Sequence, residues 1–288
     1  MNRWLIGARV RTLPAAVVPV ALGASVGVGG GGARWWTVPL AAVVSLALQI
    51  GVNYANDYSD GIRGTDDVRV GPPRLVANGL APAGAVKRAA FAAFGVAAAV
   101  GLVLAVTTSW WLIVVGVASV LAGWFYTGGP NPYGYLGLGE VFVFVFFGLV
   151  ATVGTTFVVL ERVPALAWVL GSAAGSLACS LLVINNLRDI PTDREVGKRT
   201  LAVRLGDRRT RILYTSLIVV AFALLGVVAA LGHPLALIGL AAGLLAVAPI
   251  RLVFGGATGR DLIAVLGGTG KVQLGFGALV TLGVVLSG

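Results

Sequence analysis

Uncharged apolar runs recur along the chain and are broken by short polar stretches. They lie near 12–30, 37–57, 86–106, 110–127, 139–159, 165–187, 211–231, 234–250 and 269–287. A helix rises 1.5 Å per residue, so about 20 apolar residues cross the hydrocarbon of a bilayer. Most of these runs reach or approach that length. The pattern therefore predicts an all-α polytopic membrane protein with about nine transmembrane helices. The opening stretch, "MNRWLIGARVRTLPAAVVPV", is different. Arg9 and Arg11 interrupt its apolar region, and no small-residue cleavage site follows a short core. It reads as a short interfacial helix, with Trp4 and the arginines at the headgroups, that runs into the first span.

Composition strengthens this reading. Apolar residues make up 58% of the 288, and only 11% are charged, against about 25% in a soluble domain. A soluble fold of this size could not hide so many wholly apolar helices. The 42 glycines suit helices that approach closely in lipid. The single cysteine, Cys179, excludes an internal disulfide and reads as a small packing residue. Usage rich in Ala, Gly, Val and Arg points to a GC-rich bacterium, and so to the bacterial plasma membrane.

The basic residues orient the chain. With alternating loops, 19 of the 21 Lys and Arg fall on one side, and only Arg34 and Arg162 fall on the other. The positive-inside rule puts the basic side in the cytoplasm. A net charge of +10 then needs no nucleic acid. It fits anionic headgroups of the lipid bilayer and an anionic substrate. No motif assigns an oligomeric state.

The acids are few and crowded. Seven of the eleven lie in two segments. Asp57, Asp60, Asp66 and Asp67 lie in "NYANDYSDGIRGTDD". Asp189, Asp193 and Glu195 lie in "NNLRDIPTDREVGKRT". Both segments stand at predicted cytoplasmic helix ends, after helices two and six. Asn56 and Asp60 are four residues apart, as are Asn185, Asp189 and Asp193, so each row shares one helix face. The shared form N-x-x-x-D suggests one integral-membrane domain of two related halves, about 1–135 and 136–288, around a central cavity that opens to the cytoplasm. Carboxylates and amide carbonyls are hard ligands that suit Mg²⁺, which is usually held by a few carboxylates plus substrate phosphates. Arg63, Arg69, Arg74, Lys198 and Arg199 are interleaved with them as candidate diphosphate clamps. Such a head group beside a greasy interior suggests a lipid diphosphate whose isoprenoid tail runs between helices. A metal there acts as Lewis acid and template while the allylic C–O bond ionises.

With these segments in hand, the chain resembles the UbiA superfamily of intramembrane aromatic prenyltransferases. "NDYSDGIRGTDD" is similar to its first motif, N-D-x-x-D-x-x-x-D, through Asn56, Asp57 and Asp60, with the last aspartate arriving late as Asp66 or Asp67. "DIPTD" is similar to the second motif, D-x-x-x-D, through Asp189 and Asp193. The late aspartate resembles the menaquinone-pathway branch, as do "ARVRTLPAAVVPVALG", "NDYSDGIRGTDDVRVGPPRL", "YTGGPNPYGYLGLGE" and "NNLRDIPTDREVGKRTLAVRLG". Many members carry Tyr-x-x-x-Lys after helix four, where this chain has Tyr126 and Pro130.

The resemblance implies that a polyprenyl diphosphate alkylates 1,4-dihydroxy-2-naphthoate, with loss of CO₂ and diphosphate, to give demethylmenaquinone. It implies Mg²⁺ as cofactor. The expected metal site is Asn56, Asp57, Asp60, Asp66, Asp67, Asn185, Asp189 and Asp193. Of these, Asp60, Asp66, Asp67, Asp189 and Asp193 are the expected catalytic acids, with Asp66 or Asp67 a candidate proton acceptor. Arg63, Arg69, Arg74, Lys198 and Arg199 are expected on the diphosphate. Tyr126 and Tyr133 either line the acceptor pocket or anchor at the interface. Glu140 reads as a helix-capping acid or a functional one, and Asp261 and His233 read as loop residues.

Two alternatives differ in observable ways. Another acceptor, such as 4-hydroxybenzoate, would use the same metal site. An ion-coupled transporter would place its carboxylates near the midplane on broken helices, whereas here they stand at helix ends among arginines.

Overall fold

In hydrocarbon every backbone N–H and C=O must find an internal partner, so an apolar run of span length folds as a helix. The computed structural model describes residues 2–29, 31–66 and 71–288, and among these it contains helices, turns and irregular segments and no strand. The helices are α1 (Arg3–Ala8), α2 (Pro14–Ser25), α3 (Thr37–Ile62), α4 (Ala83–Thr107), α5 (Trp111–Phe125), α6 (Gly139–Leu160), α7 (Ala165–Glu195), α8 (Leu201–Leu205), α9 (Asp207–Ala230), α10 (Pro234–Phe254) and α11 (Asp261–Ser287).

Each of the nine expected runs falls on a helix. Seven helices (α3, α4, α6, α7, α9, α10 and α11) are long and apolar enough to cross a membrane. The segment Arg3–Thr12 and α2, bent by 50°, make an eighth if counted as one span. The fifteen residues of α5 fall short of the roughly 20 that a span needs. The bend before α2 has a local cause. Arg9 adopts φ 52° at the end of α1, and Pro14 opens α2, where its missing N–H costs nothing.

The loops gather at two ends. At one end, Arg34 donates to the Glu161 carboxylate and to the Thr107 carbonyl, and Gly29 lies against Gly288. At the other, Arg3 donates to the Leu80 carbonyl and Arg211 donates to the carbonyls of Val253 and Ala257.

The deepest packing centres on α7. Its Leu170, Leu177 and Ile184 meet Leu22 of α2, Ile218 and Leu225 of α9, and Phe276 of α11. A smaller core joins Tyr54 and Ala55 of α3 to Leu75, Val86 and Phe94. Outward faces are apolar as well: Trp111 is 75% exposed and Leu244 78%, as lipid contact requires. Where α6 crosses α7, a wide i→i+5 turn spans Phe144–Val150. There Gly148 meets Gly175 so closely that a Cβ on Gly148 would lie 2.5 Å from the Gly175 Cα. This crossing fixes the wall that carries Phe146 and Phe147 and thus shapes the cavity beside α7.

Candidate active site

The C-terminal turns of α3 and α7 meet at the basic end of the bundle. Between them opens a cavity of about 730 Å³. Its mouth is polar, with Asn56, Asp60, Asp66, Arg74, Asn185, Asp189, Asp193 and Lys198 on its wall. Its interior is apolar, lined by residues such as Val44, Leu48, Leu112, Phe146, Phe147 and Val158. Residues of α5 and α6 both face it.

Each helix end is followed by a reversal that returns the chain to the cavity. After α3, Thr65 donates its N–H and its hydroxyl to the Asp60 carbonyl, at 3.1 and 3.0 Å. After α7, Gly197 adopts φ 75°, and the Lys198 N–H donates to the Asp193 carbonyl at 2.8 Å. This turn brings the Lys198 side chain inward. Its Nζ lies 3.8 Å from Asp60 Oδ2 and 3.8 Å from Asp193 Oδ1, and 4.9 Å from the centre of the Tyr135 ring. Burial lowers the Lys198 pKa, but Asp60 and Asp193 outweigh it and hold the ammonium above its ordinary value. Lys198 therefore stays charged through neutral pH.

The remaining polar groups are ordered around this centre. Tyr135 donates to Asp60 Oδ1 at 2.8 Å. Burial, then the Asp60 charge, push its phenol up to about 12, so it stays a donor. Asn56 Oδ1 accepts from the Thr127 hydroxyl at 2.9 Å. Asn185 Nδ2 donates to the Leu181 carbonyl at 3.2 Å. Arg188 grips Asp189 through two bonds of 2.7 Å. Thr200 donates to Asp193 Oδ2 at 3.4 Å. Arg74 Nε pairs with Asp66 Oδ2 at 3.3 Å, and the Arg74 N–H donates to Asn78 at 2.7 Å. Tyr126 and Tyr133 both reach the cavity wall. They extend an aromatic row through Phe142, whose ring centre is 3.9 Å from that of Tyr133.

Three expected site residues serve elsewhere. Asp57 does not line the cavity. Its carboxylate accepts from the backbone N–H groups of Leu75 and Val76, at 2.8 and 3.0 Å, and is wholly buried. It holds the 71–81 loop, which presents Arg74. Arg63 is turned to the carbonyls of Thr127 and Gly129 and lies over the Tyr135 ring, 5.5 Å from its centre. Arg199 is exposed and offers its N–H to the Tyr135 carbonyl. Asp67 and Arg69 lie outside the described residues. Lys198→Gln and Arg199→Gln should therefore differ. The first should raise the KM for a diphosphate substrate about tenfold or more, since it removes a charged donor. The second should leave it within about twofold, as an exposed charge does. Steady-state kinetics on the pair checks this.

Other residues at the site lie outside the two aspartate motifs. Arg9 lines the cavity and donates to the Asn53 carbonyl at 3.3 Å. Gln49 and Asn53 both donate to the Thr12 hydroxyl, at 2.9 and 3.1 Å. Tyr135 and Arg188 act directly on Asp60 and Asp189. In the sequence Arg188 stands next to Asp189, and Tyr135 shares a Gly-rich loop with Tyr126 and Tyr133.

Among the described residues, no three His, Cys, Asp or Glu side chains form a ready-made metal cluster. The donors instead stand on two facing helix ends, and one ammonium already reaches a carboxylate of each. Such an arrangement fits a hard divalent cation that shares its coordination with phosphate oxygens.

Residues 16–267 match the UbiA prenyltransferase family. The chain is 51% identical to the 1,4-dihydroxy-2-naphthoate octaprenyltransferase of Mycobacterium tuberculosis, over 94% of this chain and 93% of that one. The protein of the same name from Escherichia coli is 36% identical, over 75% of this chain and 72% of that one. The structure of a UbiA homolog from Archaeoglobus fulgidus bound to GPP and Mg²⁺ matches with a TM-score of 0.68 at 14% identity, over 99% of this chain and 100% of that one. That likeness concerns the fold.

Proposed function

Because the chain belongs to the UbiA prenyltransferase family, we propose that its cavity performs Mg²⁺-dependent prenyl transfer at a mouth on the cytoplasmic face of a bacterial plasma membrane. The chain is a membrane enzyme of menaquinone biosynthesis, which transfers a polyprenyl group from polyprenyl diphosphate to 1,4-dihydroxy-2-naphthoate. The allylic C–O bond of the donor breaks. A C–C bond forms at the ring carbon that bears the carboxylate. The carboxylate leaves as CO₂ and the diphosphate leaves with the C–O bonding pair, so the ring keeps both hydroxyls and demethylmenaquinol remains, the reduced form of demethylmenaquinone.

One observation carries the site assignment: Lys198 bridges carboxylates from both helix ends at the polar mouth of an otherwise apolar cavity. Asp60, Asp66, Asp189 and Asp193, with Asn56 and Asn185, are the residues that would hold the metal. When bound, Mg²⁺ supplies the positive charge that lets the diphosphate depart. Lys198 and Arg74 donate to diphosphate oxygens. Asp66 keeps Arg74 aimed at them. Phe146, Phe147, Leu48 and Val44 exclude water from the developing allylic cation, which would otherwise be quenched to an alcohol. Tyr126, Tyr133 and Phe142 offer an aromatic wall to the naphthalene ring.

Two further readings rest on pattern. The two-half organisation, 1–135 and 136–288, is supported by the N-x-x-x-D rows of α3 and α7, which face each other across one cavity. The cytoplasmic orientation is supported by the 19 basic residues assigned to the end that holds the mouth.

Chelation tests the metal assignment. Transfer from a polyprenyl diphosphate in detergent should vanish with excess EDTA and return with Mg²⁺. Transfer that persists under chelation contradicts it.

A further inference from the structure

Glu140 has no part in the chemistry above, yet it is placed with care. It stands in the first turn of α6 and is 8% exposed. It stands at the positive end of that helix's dipole. Its Oε1 accepts from Asn186 Nδ2 at 3.0 Å, and among the described residues its Oε2 has no hydrogen-bond partner. The preceding Gly139 has no room for a side chain without crowding Tyr126 and Leu182, so the Tyr126 ring packs directly over the start of the helix. Glu140 thus lies behind the cavity wall, while Asn186 is part of that wall.

A primary amide has a donor end and an acceptor end, and nothing in its shape chooses between them. A carboxylate does choose, because it only accepts. With Nδ2 bound to Glu140, Oδ1 is the end of Asn186 that remains for the cavity. We propose that Glu140 is a positioning residue. It locks the Asn186 amide so that Oδ1 accepts a phenolic O–H of the aromatic acceptor. The proposal rests on the naphthoate reading above. The naphthoate carries two hydroxyl donors and one carboxylate. A fixed acceptor binds a hydroxyl and rejects the carboxylate, so it selects one orientation of the ring. A freely turning amide would bind either group and admit the wrong orientation.

Four variants test this in steady-state kinetics with each substrate varied in turn. Glu140→Gln keeps the shape but offers both a donor and an acceptor, so the lock is lost. Its KM for 1,4-dihydroxy-2-naphthoate should rise about five- to tenfold, as for one hydrogen bond, while the KM for polyprenyl diphosphate moves less than about twofold. Asn186→Asp alone sets two carboxylates face to face and should be worse. The double variant E140Q/N186D reverses the hydrogen bond but keeps an acceptor toward the cavity. It should restore the naphthoate KM to within about twofold of wild type. Inhibition by 1-hydroxy-2-naphthoate and by 4-hydroxy-2-naphthoate identifies the hydroxyl. The analogue that lacks it should bind wild type and E140Q equally. If E140Q does not fold, the apolar pair E140L/N186L carries the same prediction for the naphthoate KM.

An unchanged naphthoate KM in E140Q or E140L/N186L overturns the proposal. So does a double swap worse than E140Q, or equal loss toward both substrates. A wild-type protein that transfers to another acceptor only would instead strike the naphthoate reading, and the proposal with it.

Discussion

Asp60→Asn and Asp189→Asn each lower turnover by roughly 100-fold or more, while the purified Asp60→Asn protein melts close to wild type. Both changes keep side-chain volume and remove one negative charge from the cavity mouth. Asp60 is buried and faces Lys198 and Tyr135, and an amide still serves as partner to both. The fold has little reason to change. The loss falls on the site that must offset the diphosphate's charge as it departs. Turnover and thermal unfolding measured on the same preparations separate the two effects. If both variants keep wild-type turnover across Mg²⁺ concentrations, the metal assignment is wrong.

Asp57→Ala gives the opposite signature. Three residues from Asp60, this carboxylate satisfies two backbone N–H groups and is fully buried. Truncation leaves both donors buried without partners and costs about 2–4 kcal/mol. The expected result is a clearly lower melting temperature in detergent. Activity falls too, because the 71–81 loop presents Arg74. Asp57→Asn keeps one acceptor and should fall between. A full loss of turnover at unchanged melting temperature would return Asp57 to the metal site.

The contrast between these neighbours shows what sequence reveals and what it does not. The apolar runs were legible because burial in lipid writes itself into every residue of a span. The N-x-x-x-D rows were legible because a four-residue spacing defines a helix face without knowledge of the fold. Asp57 and Asp60, three apart, differ by only about 60° around α3. Which of them meets the cavity depends on where residues 71–81 fold back, and no local pattern encodes that. The same holds for the cations. Lys198 and Arg199 are adjacent, yet the turn at Gly197 sends one inward and the other to solvent. Arg63 looked like a diphosphate clamp because its charge is all that a sequence shows. Its partners are backbone carbonyls of 127 and 129, which any residues there would supply. Tyr135 lies in a stretch that carries the resemblance but names no partner for it, and its role follows from a contact 75 residues distant. Lys198 likewise reaches Asp60 from a distant part of the chain.

The most direct test of the central claim offers the wild-type protein a choice. Purified protein with Mg²⁺ and a polyprenyl diphosphate receives equal 1,4-dihydroxy-2-naphthoate and 4-hydroxybenzoate. Prenylated products and released CO₂ are followed with and without EDTA. The account predicts a prenylated naphthoquinol with one CO₂ per transfer, all lost on chelation. Prenylated benzoate alone, or no CO₂ with the naphthoate, would contradict it.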